Sequence, residues 1–289
     1  MKMRKTIISF YLLFIICSIL YGEEPLVALD RLTKAIQRDP RNASLYSERA
    51  SIYHELEKYV NELEDSQQAV ILEPGAQTFF LRGNAYYDLG MYQDAISDYT
   101  KAIELNPQFS FAYNRRGIVY NIFLGEHAKA IDDFSKAIAI NPSDPTDYGE
   151  RGMAYYFSGK YREALADFNK GILLDPQDGS YYYWRGEVYI ELGKYQEAIV
   201  DLTRAVTIQS NYSSAYNTRA YAYCELKKFQ EAVNDYTRVI ELEPNVDAYW
   251  NRAKTYEDLA REAPNARQKA DYQKKADADF AMVKKLEGK

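Results

Sequence analysis

The chain has 289 residues, 47% of them hydrophobic and 27% charged, enough to bury a continuous core as one globular domain or as an extended repeat array. Its 36 basic residues stand against 42 acidic ones with no long basic run, so it lacks the electrostatic footprint that a phosphate backbone requires, which argues against nucleic acid as a partner. The two cysteines, Cys17 and Cys224, exclude an internal disulfide framework once the first lies in a removable segment.

At the N-terminus, Lys2, Arg4 and Lys5 precede an apolar run from Ile7 to about Tyr21, and acids begin at Glu23. Residues 1–22 therefore read as a secretory signal cleaved after Gly22. Two alternatives use the same residues. The run of roughly fifteen apolar residues, short of the ~20 that cross a bilayer comfortably, is retained as a membrane anchor. Otherwise Cys17 carries a lipid, although Ile16 stands where a small residue is expected. Each version places the protein outside the cytoplasm: periplasmic, secreted, or tethered to the membrane.

From Glu23 onward the chain repeats. RGNAYYDLGMYQDAISDYTKAIELNP at 82–107 returns as RGMAYYFSGKYREALADFNKGILLDP at 151–176 and RGEVYIELGKYQEAIVDLTRAVTIQS at 185–210. Segment-ending prolines at 40, 74, 107, 142, 176 and 244, with Ser210 in place of another, set a period of about 34 residues. Within one unit, Phe79, Leu81, Gly83 and Tyr86 precede a turn near Gly90. Ala95, Tyr99, Ala102 and Ile103 then continue at helical spacing until Pro107 stops them. One unit is thus an antiparallel helical hairpin, and the fold class is all-α.

This pattern resembles the tetratricopeptide repeat, with an aromatic at position 4, tyrosine at 11, small residues at 8, 20 and 27, an aromatic at 24 and proline at 32. On that frame repeats begin near Ala43, Ala76, Ser110, Pro145, Gly179, Ser213 and Val246, after a half-repeat helix in 23–42. Position 4 is Tyr46, Phe79, Tyr113, Tyr148, Tyr182, Tyr216 and Tyr249, and position 11 is tyrosine from Tyr53 to Tyr256, so most of the 28 tyrosines are architecture. The resemblance implies an α-solenoid, a superhelix of seven hairpins over 43–289, whose concave face is lined by the first helix of each hairpin and binds polypeptides.

Several residues depart from the pattern. Glu62 occupies a small-residue position and predicts a looser first hairpin. Leu124 is an insertion before Gly125, and Gly171 replaces alanine inside a helix at a propensity cost of about 1 kcal/mol. The stretch REAPNARQKADYQKK at 261–275 predicts a longer turn and second helix in the last hairpin, whose charged outer surface caps the array.

Position 7 is arginine and position 23 aspartate in every hairpin: Arg49/Asp65, Arg82/Asp98, Arg116/Asp133, Arg151/Asp167, Arg185/Asp201, Arg219/Asp235 and Arg252/Asp279. In a hairpin turning near position 15 the two lie at similar heights, which favours fork-on-carboxylate pairs over a ladder of arginines offered to an anionic ligand.

Catalytic chemistry is not suggested. The only histidines, His54 and His127, lie far apart in sequence and Cys224 has none near it, so neither a nucleophile–base pair nor a metal cluster is indicated, and no cofactor is called for. Positions 2, 5, 6, 9, 12 and 13, which the resemblance places on the concave face, collect Phe80, Tyr87, Phe111, Tyr156, Phe157, Tyr183, Trp184, Tyr221 and Trp250. They also collect acids, Glu187 among them, against only Arg115 and Lys254. Position 5 never carries the lysine of the family's carboxylate clamp for acidic tails. The expected ligand is a basic and apolar peptide segment, and the expected role a non-enzymatic interaction scaffold outside the cytoplasm. A transport accessory enclosing a small apolar molecule is the alternative.

Overall fold

A computed structural model of the protein describes residues 23–288. The segment read as a signal or anchor, 1–22 with Cys17, lies outside the described residues. Among those described there are fifteen α-helices and no strand, and no helix is long and apolar enough to cross a membrane. The class is all-α, an α-solenoid of antiparallel hairpins.

The described residues form two compact units, 23–154 and 155–288. In the first, α1 (Pro25–Arg38) precedes the hairpins α2 (Ala43–Glu55) with α3 (Tyr59–Leu72), α4 (Ala76–Asp88) with α5 (Tyr92–Leu105), and α6 (Ser110–Ile118) with α7 (His127–Ile140). Helix α8 (Pro145–Phe157) contains the unit boundary. The second unit continues with α9 (Tyr161–Leu174) and the hairpins α10 (Gly179–Glu191) with α11 (Tyr195–Ile208), α12 (Ser213–Glu225) with α13 (Phe229–Leu242), and α14 (Val246–Glu262) with α15 (Ala266–Glu287).

The hairpin turn follows from backbone sterics. Its pivot is left-handed at Gly90, Gly125, Gly159 and Gly193, with φ of 74, 65, 70 and 68°, and also at Glu57 and Lys227, with φ of 55 and 58°. The next residue's N–H then caps the first helix: Lys58, Met91, Lys194 and Lys228 each donate to the carbonyl of Tyr53, Tyr86, Tyr189 and Tyr223 at 2.8 Å. First helices begin at side-chain caps where these exist. Asn42, Asp178 and Asn245 accept from the N–H of Ser44, Ser180 and Ala248 at 3.2, 2.8 and 2.9 Å.

Two hairpins of the first unit close with a ring of the second helix lying on a glycine of the first. A Cβ added to Gly83 would meet the Tyr99 ring at 2.7 Å, and one on Gly117 the Phe134 ring at 2.8 Å. Tyr99 and Phe134 are fully buried, and the Tyr99 hydroxyl is satisfied by Asn84 Oδ1 at 2.9 Å.

Arginine and aspartate lock the same pairs of helices. The guanidinium Nε and Nη2 of Arg49, Arg82, Arg116, Arg185, Arg219 and Arg252 donate to both carboxylate oxygens of Asp65, Asp98, Asp133, Asp201, Asp235 and Asp279 at 2.6–2.8 Å. Arg151 and Asp167, the seventh expected pair, belong one to each compact unit. Asp167 of α9 is 5% exposed, as deeply buried as the six aspartates above, and Arg151 of α8 lies 5.9 Å from the Tyr148 ring. The remaining nitrogen of several arginines reaches the second helix of the preceding hairpin: Arg116 to Thr100, Arg151 to Ser135, Arg219 to Thr203 and Arg252 to Thr237, at 2.8–3.0 Å. Tyrosines at positions 4 and 11 flank the same guanidinium, as Tyr216 and Tyr223 do Arg219 at 5.4 and 5.9 Å. An arginine such as Arg219 therefore ties two helices of its own hairpin to the one before it, and its charge is spent inside the protein. The small polar residue at position 25, recurring as Thr100, Ser135, Thr203 and Thr237, was a legible signal for this bond.

Of three departures, two resolve differently from the sequence expectation and one, the Leu124 insertion, keeps the register as expected. Glu62 does not loosen the first hairpin: it is 2% exposed and its Oε2 lies 3.2 Å from His54 Nδ1, so a polar contact fills the space other hairpins give to alanine. The Leu124 insertion is absorbed by a π-helical segment, Val119–Phe123, which adds one residue between Arg116 and Asp133 without breaking their pair. Residues 261–275 lengthen helices rather than the turn. The linking residues 263–265 are as few as 226–228 in the hairpin before, and α14 and α15 reach 17 and 22 residues. Compared with that hairpin, the first arm gains one helical turn and the second two, steps that return a side chain to the same face, and Arg252 still meets Asp279.

Candidate functional site

In the second unit, aromatic side chains from consecutive first helices gather around two glutamates. Tyr156 and Phe157 at the end of α8 meet Trp184 of α10 edge-on, with ring centroids 5.6 and 5.9 Å apart, and Tyr183 lies 5.3 Å from Trp184. Tyr161, the first residue of α9, is 6.0 Å from Tyr156, and Tyr212 is 5.0 Å from Tyr183. Phe157 remains 51% exposed, a costly position for a ring that served packing alone.

The electrostatics of this cluster are negative. Glu187, one helical turn from Tyr183, accepts from Thr218 Oγ1 of α12 at 2.6 Å, and burial raises its carboxyl above the usual range. Glu191 Oε2 accepts from the Tyr161 hydroxyl at 3.3 Å and stays exposed. Burial, then the charges of Glu187 and Glu191, push the Tyr156 hydroxyl well above its ordinary value, and burial followed by Glu187 does the same to Tyr183. The rings therefore stay neutral donors, and the charged side chains that act on them most are carboxylates. Aromatic faces and edges under a negative potential suit a cation carried on an apolar stem.

The other sequence-derived site residues have ring or cation partners of their own. Tyr221 is 43% exposed and pairs with Tyr195 at 6.3 Å. Trp250 is 48% exposed, but Lys254 of its own helix lies 5.7 Å above the ring, so one face already holds a cation. In the first unit, Tyr87 packs edge-on to Phe123 at 5.6 Å, and Phe123 stacks on Tyr92 at 4.1 Å. Phe111 lies 6.5 Å from Phe109, itself buried. Phe80 does not belong to an open surface: it is 4% exposed and wedged against Phe109 at 4.9 Å and Tyr99 at 5.8 Å. The reason is that Phe109, a bulky residue just before α6, reaches the space in front of it. The position-23 aspartates, Asp167 included, are all buried and add no open surface for a ligand.

Sequence reasoning missed Tyr161, Tyr212 and Thr218. Position 17, the first residue of each second helix, is aromatic as Tyr59, Tyr92, Tyr161, Tyr195 and Phe229, and that recurrence marks the rim residues Tyr161 and Tyr195. Tyr212 and Thr218 carry no such signal.

Two further carboxylates of the first unit have their protonation shifted by burial. Asp147, 4% exposed, accepts from Asn114 Nδ2 at 2.6 Å, and burial raises its carboxyl to about 7 despite that bond. Glu150 Oε2 is closed off from solvent without a hydrogen-bond partner, and burial raises that carboxyl to about 7 as well, with Arg115 opposing. His54 of α2 meets two acids the sequence separates widely, Glu62 at 3.2 Å and Asp88 at 2.8 Å, both at Nδ1. Burial disfavours its charge, but the carboxylates of Asp88 and Glu62 beside it hold the imidazole up to about 9. Cys224 Sγ lies 3.5 Å from Thr255 Oγ1, and burial pushes the thiol up, the opposite of what a nucleophile needs.

Comparison with known proteins agrees with this architecture. Tetratricopeptide repeat profiles match residues 76–109, 98–132, 150–214 and 213–246. No curated protein matches the chain. Among solved structures, a tetratricopeptide repeat protein from Parabacteroides merdae aligns with a TM-score of 0.63 at 22% identity, over 85% of this chain and 98% of that one. The APC/C hetero-tetramer Cut9-Hcn1 aligns with a TM-score of 0.60 at 21% identity, over 86% of this chain and 52% of that one. YrrB, described as a TPR protein with an unusual peptide-binding site, aligns with a TM-score of 0.52 at 25% identity, over 63% of this chain and 91% of that one. Repeated hairpins, their recurring packing residues and profile matches across most of the hairpin array lead to one statement of kinship: the chain belongs to the tetratricopeptide repeat family.

Proposed function

We propose that the protein is a non-enzymatic interaction scaffold acting outside the cytoplasm, and that it binds a basic, apolar polypeptide segment on the surface formed by Tyr156, Phe157, Tyr183, Trp184, Glu187 and Glu191. Family membership supports protein binding, and the peptide-binding site of YrrB supports a peptide as its form. The observation that carries the choice of ligand is the aromatic cluster with two glutamates beside it, one of them bonded to the Tyr161 hydroxyl. A lysine or arginine laid over these rings gains about 0.5–2 kcal/mol from each good cation–π contact, while the acids speed encounter and select its sign.

Fluorescence anisotropy with labelled peptides tests this. A Lys/Arg-bearing apolar peptide binds more tightly than its Glu-bearing counterpart, and its affinity falls with salt. Tyr156→Ala combined with Trp184→Ala weakens binding more than about tenfold with an unchanged far-UV spectrum. Equal affinity in that variant, preference for the acidic peptide, or a retained small apolar molecule in place of peptide refutes the assignment. The location rests on the Lys2-to-Gly22 layout. N-terminal sequencing of protein from the native cell reads from near Glu23, and a soluble cytoplasmic chain starting at Met1 removes the export proposal.

A further inference from the structure

One side-chain cluster in the first unit is used by neither the packing pattern nor the peptide surface. His54 on α2, Glu62 on α3 and Asp88 on α4 come together so that one ligand atom from each lies within 4.8 Å of the others. Glu62 sits where the other hairpins bury Ala95, Ala130, Ala164, Ala198, Ala232 and Ala276, each at 0% exposure. Burying a carboxylate in a slot made for a methyl group is expensive unless something holds it.

A proton is an incomplete answer. His54 Nδ1 carries at most one hydrogen, yet two carboxylates, Glu62 Oε2 at 3.2 Å and Asp88 Oδ2 at 2.8 Å, converge on it. Asp88 Oδ2 is closed off from solvent and receives no well-directed hydrogen bond. An imidazolium between two carboxylates leaves the trio with a net charge of −1, whereas a divalent cation with a neutral imidazole brings it to zero. The spacing also suits a metal. Ligand atoms about 2.0–2.2 Å from a common ion stand roughly 2.8–3.6 Å apart in octahedral or tetrahedral geometry, a range that holds the two nitrogen–oxygen separations here, 3.2 and 2.8 Å.

We propose that His54, Glu62 and Asp88 form a divalent-cation site, of the one-imidazole, two-carboxylate kind that takes Zn²⁺, joining the first hairpin to the second. The donor set is too soft for Ca²⁺ or Mg²⁺, which favour all-oxygen cages. Three protein ligands leave a coordination position for water, and the site's task is structural, a clamp across α2, α3 and α4.

The test uses the full chain after dialysis against chelator, titrated with ZnCl₂, and with MgCl₂ as comparison. Calorimetry shows one equivalent of Zn²⁺ bound, with affinity at least about tenfold weaker in Glu62→Gln and in Asp88→Asn and unchanged in His127→Asn. Because the variants could change the fold locally, the wild-type chain supplies a second readout. It has two histidines, so a ¹H–¹⁵N spectrum of the imidazoles resolves each, and one equivalent of Zn²⁺ shifts the Nδ1 resonance of His54 while leaving that of His127 in place. The proposal is overturned if Zn²⁺ does not bind, if it binds equally well to both carboxylate variants, or if the His54 ring does not respond.

Discussion

Replacing Gly171 by alanine separates local helix propensity from packing. Gly171 lies inside α9, where alanine is worth about 1 kcal/mol more than glycine by propensity alone. The structure opposes that gain, because a Cβ at Gly171 would sit 2.8 Å from Cδ1 and 3.0 Å from Cε1 of Tyr181. Tyr181 is 5% exposed, so its ring has little room to swing aside, and overpacking of this kind costs about 1–3 kcal/mol. The net expectation is a loss of about 1 kcal/mol. Elsewhere in the second unit small partners share this joint, with Ala205 and Ala215 in one apolar cluster and Val239 and Ala248 in another. Tyr181→Ala alone costs about 3 kcal/mol through the cavity it leaves. In that background Gly171→Ala should stabilise by about 1 kcal/mol, so the effect of the same methyl changes sign and the coupling is about 2 kcal/mol. Urea unfolding followed by far-UV dichroism, with the m-value checked for constancy across the four proteins, measures the cycle. If Gly171→Ala stabilises the wild-type chain as much as it stabilises Tyr181→Ala, the ring does not occupy that space and the packing argument fails.

Arg219→Ala leaves Asp235, 6% exposed, without its counter-charge and should destabilise by about 3–5 kcal/mol. The double variant with Asp235→Ala should lose less than the sum of the two single losses, and strict additivity in denaturant melts would show that the pair is uncoupled. Glu57→Gly and Lys227→Gly should each stabilise by about 0.5–1 kcal/mol, since both residues hold φ near the values that glycine occupies at the other turns; a lower melting temperature for either counts against the strain. The folded chain binds protons at Asp147 and Glu150 that the unfolded chain releases, because burial raises both carboxyls to about 7. Their contribution is therefore most favourable below about pH 4 and declines as pH rises to about 7, by up to about 1.4 kcal/mol per pH unit for each group. Glu150→Gln should thus be more stable than wild type at about pH 8, with the gap closing toward pH 4, and a gap independent of pH would show that Glu150 titrates normally.

Fold class and family were legible in the sequence because a repeated hairpin is a local object. Residues about 34 positions apart play the same part, and helical spacing, small residues and turn glycines all fall within one unit. The same regularity made tyrosines at positions 4 and 11 recognisable as architecture, since no ligand needs a ring at every repeat. What repeats cannot encode is what breaks them. Phe80 shares its repeat position with Tyr183 and Trp250, yet it is buried because a phenylalanine at 109 faces it, a fact about two helices at once. Glu62 reads as a packing defect until α2 and α4 bring His54 and Asp88 to it from 8 residues before and 26 after. Gly171 reads as a weak helix residue until the ring of Tyr181 is found in the place of its missing side chain. The period determined which helices form and in what order they pair. The exceptions acquired meaning only through contacts between different helices, because burial, charge neutralisation and steric fit depend on neighbours that the chain supplies from a distance.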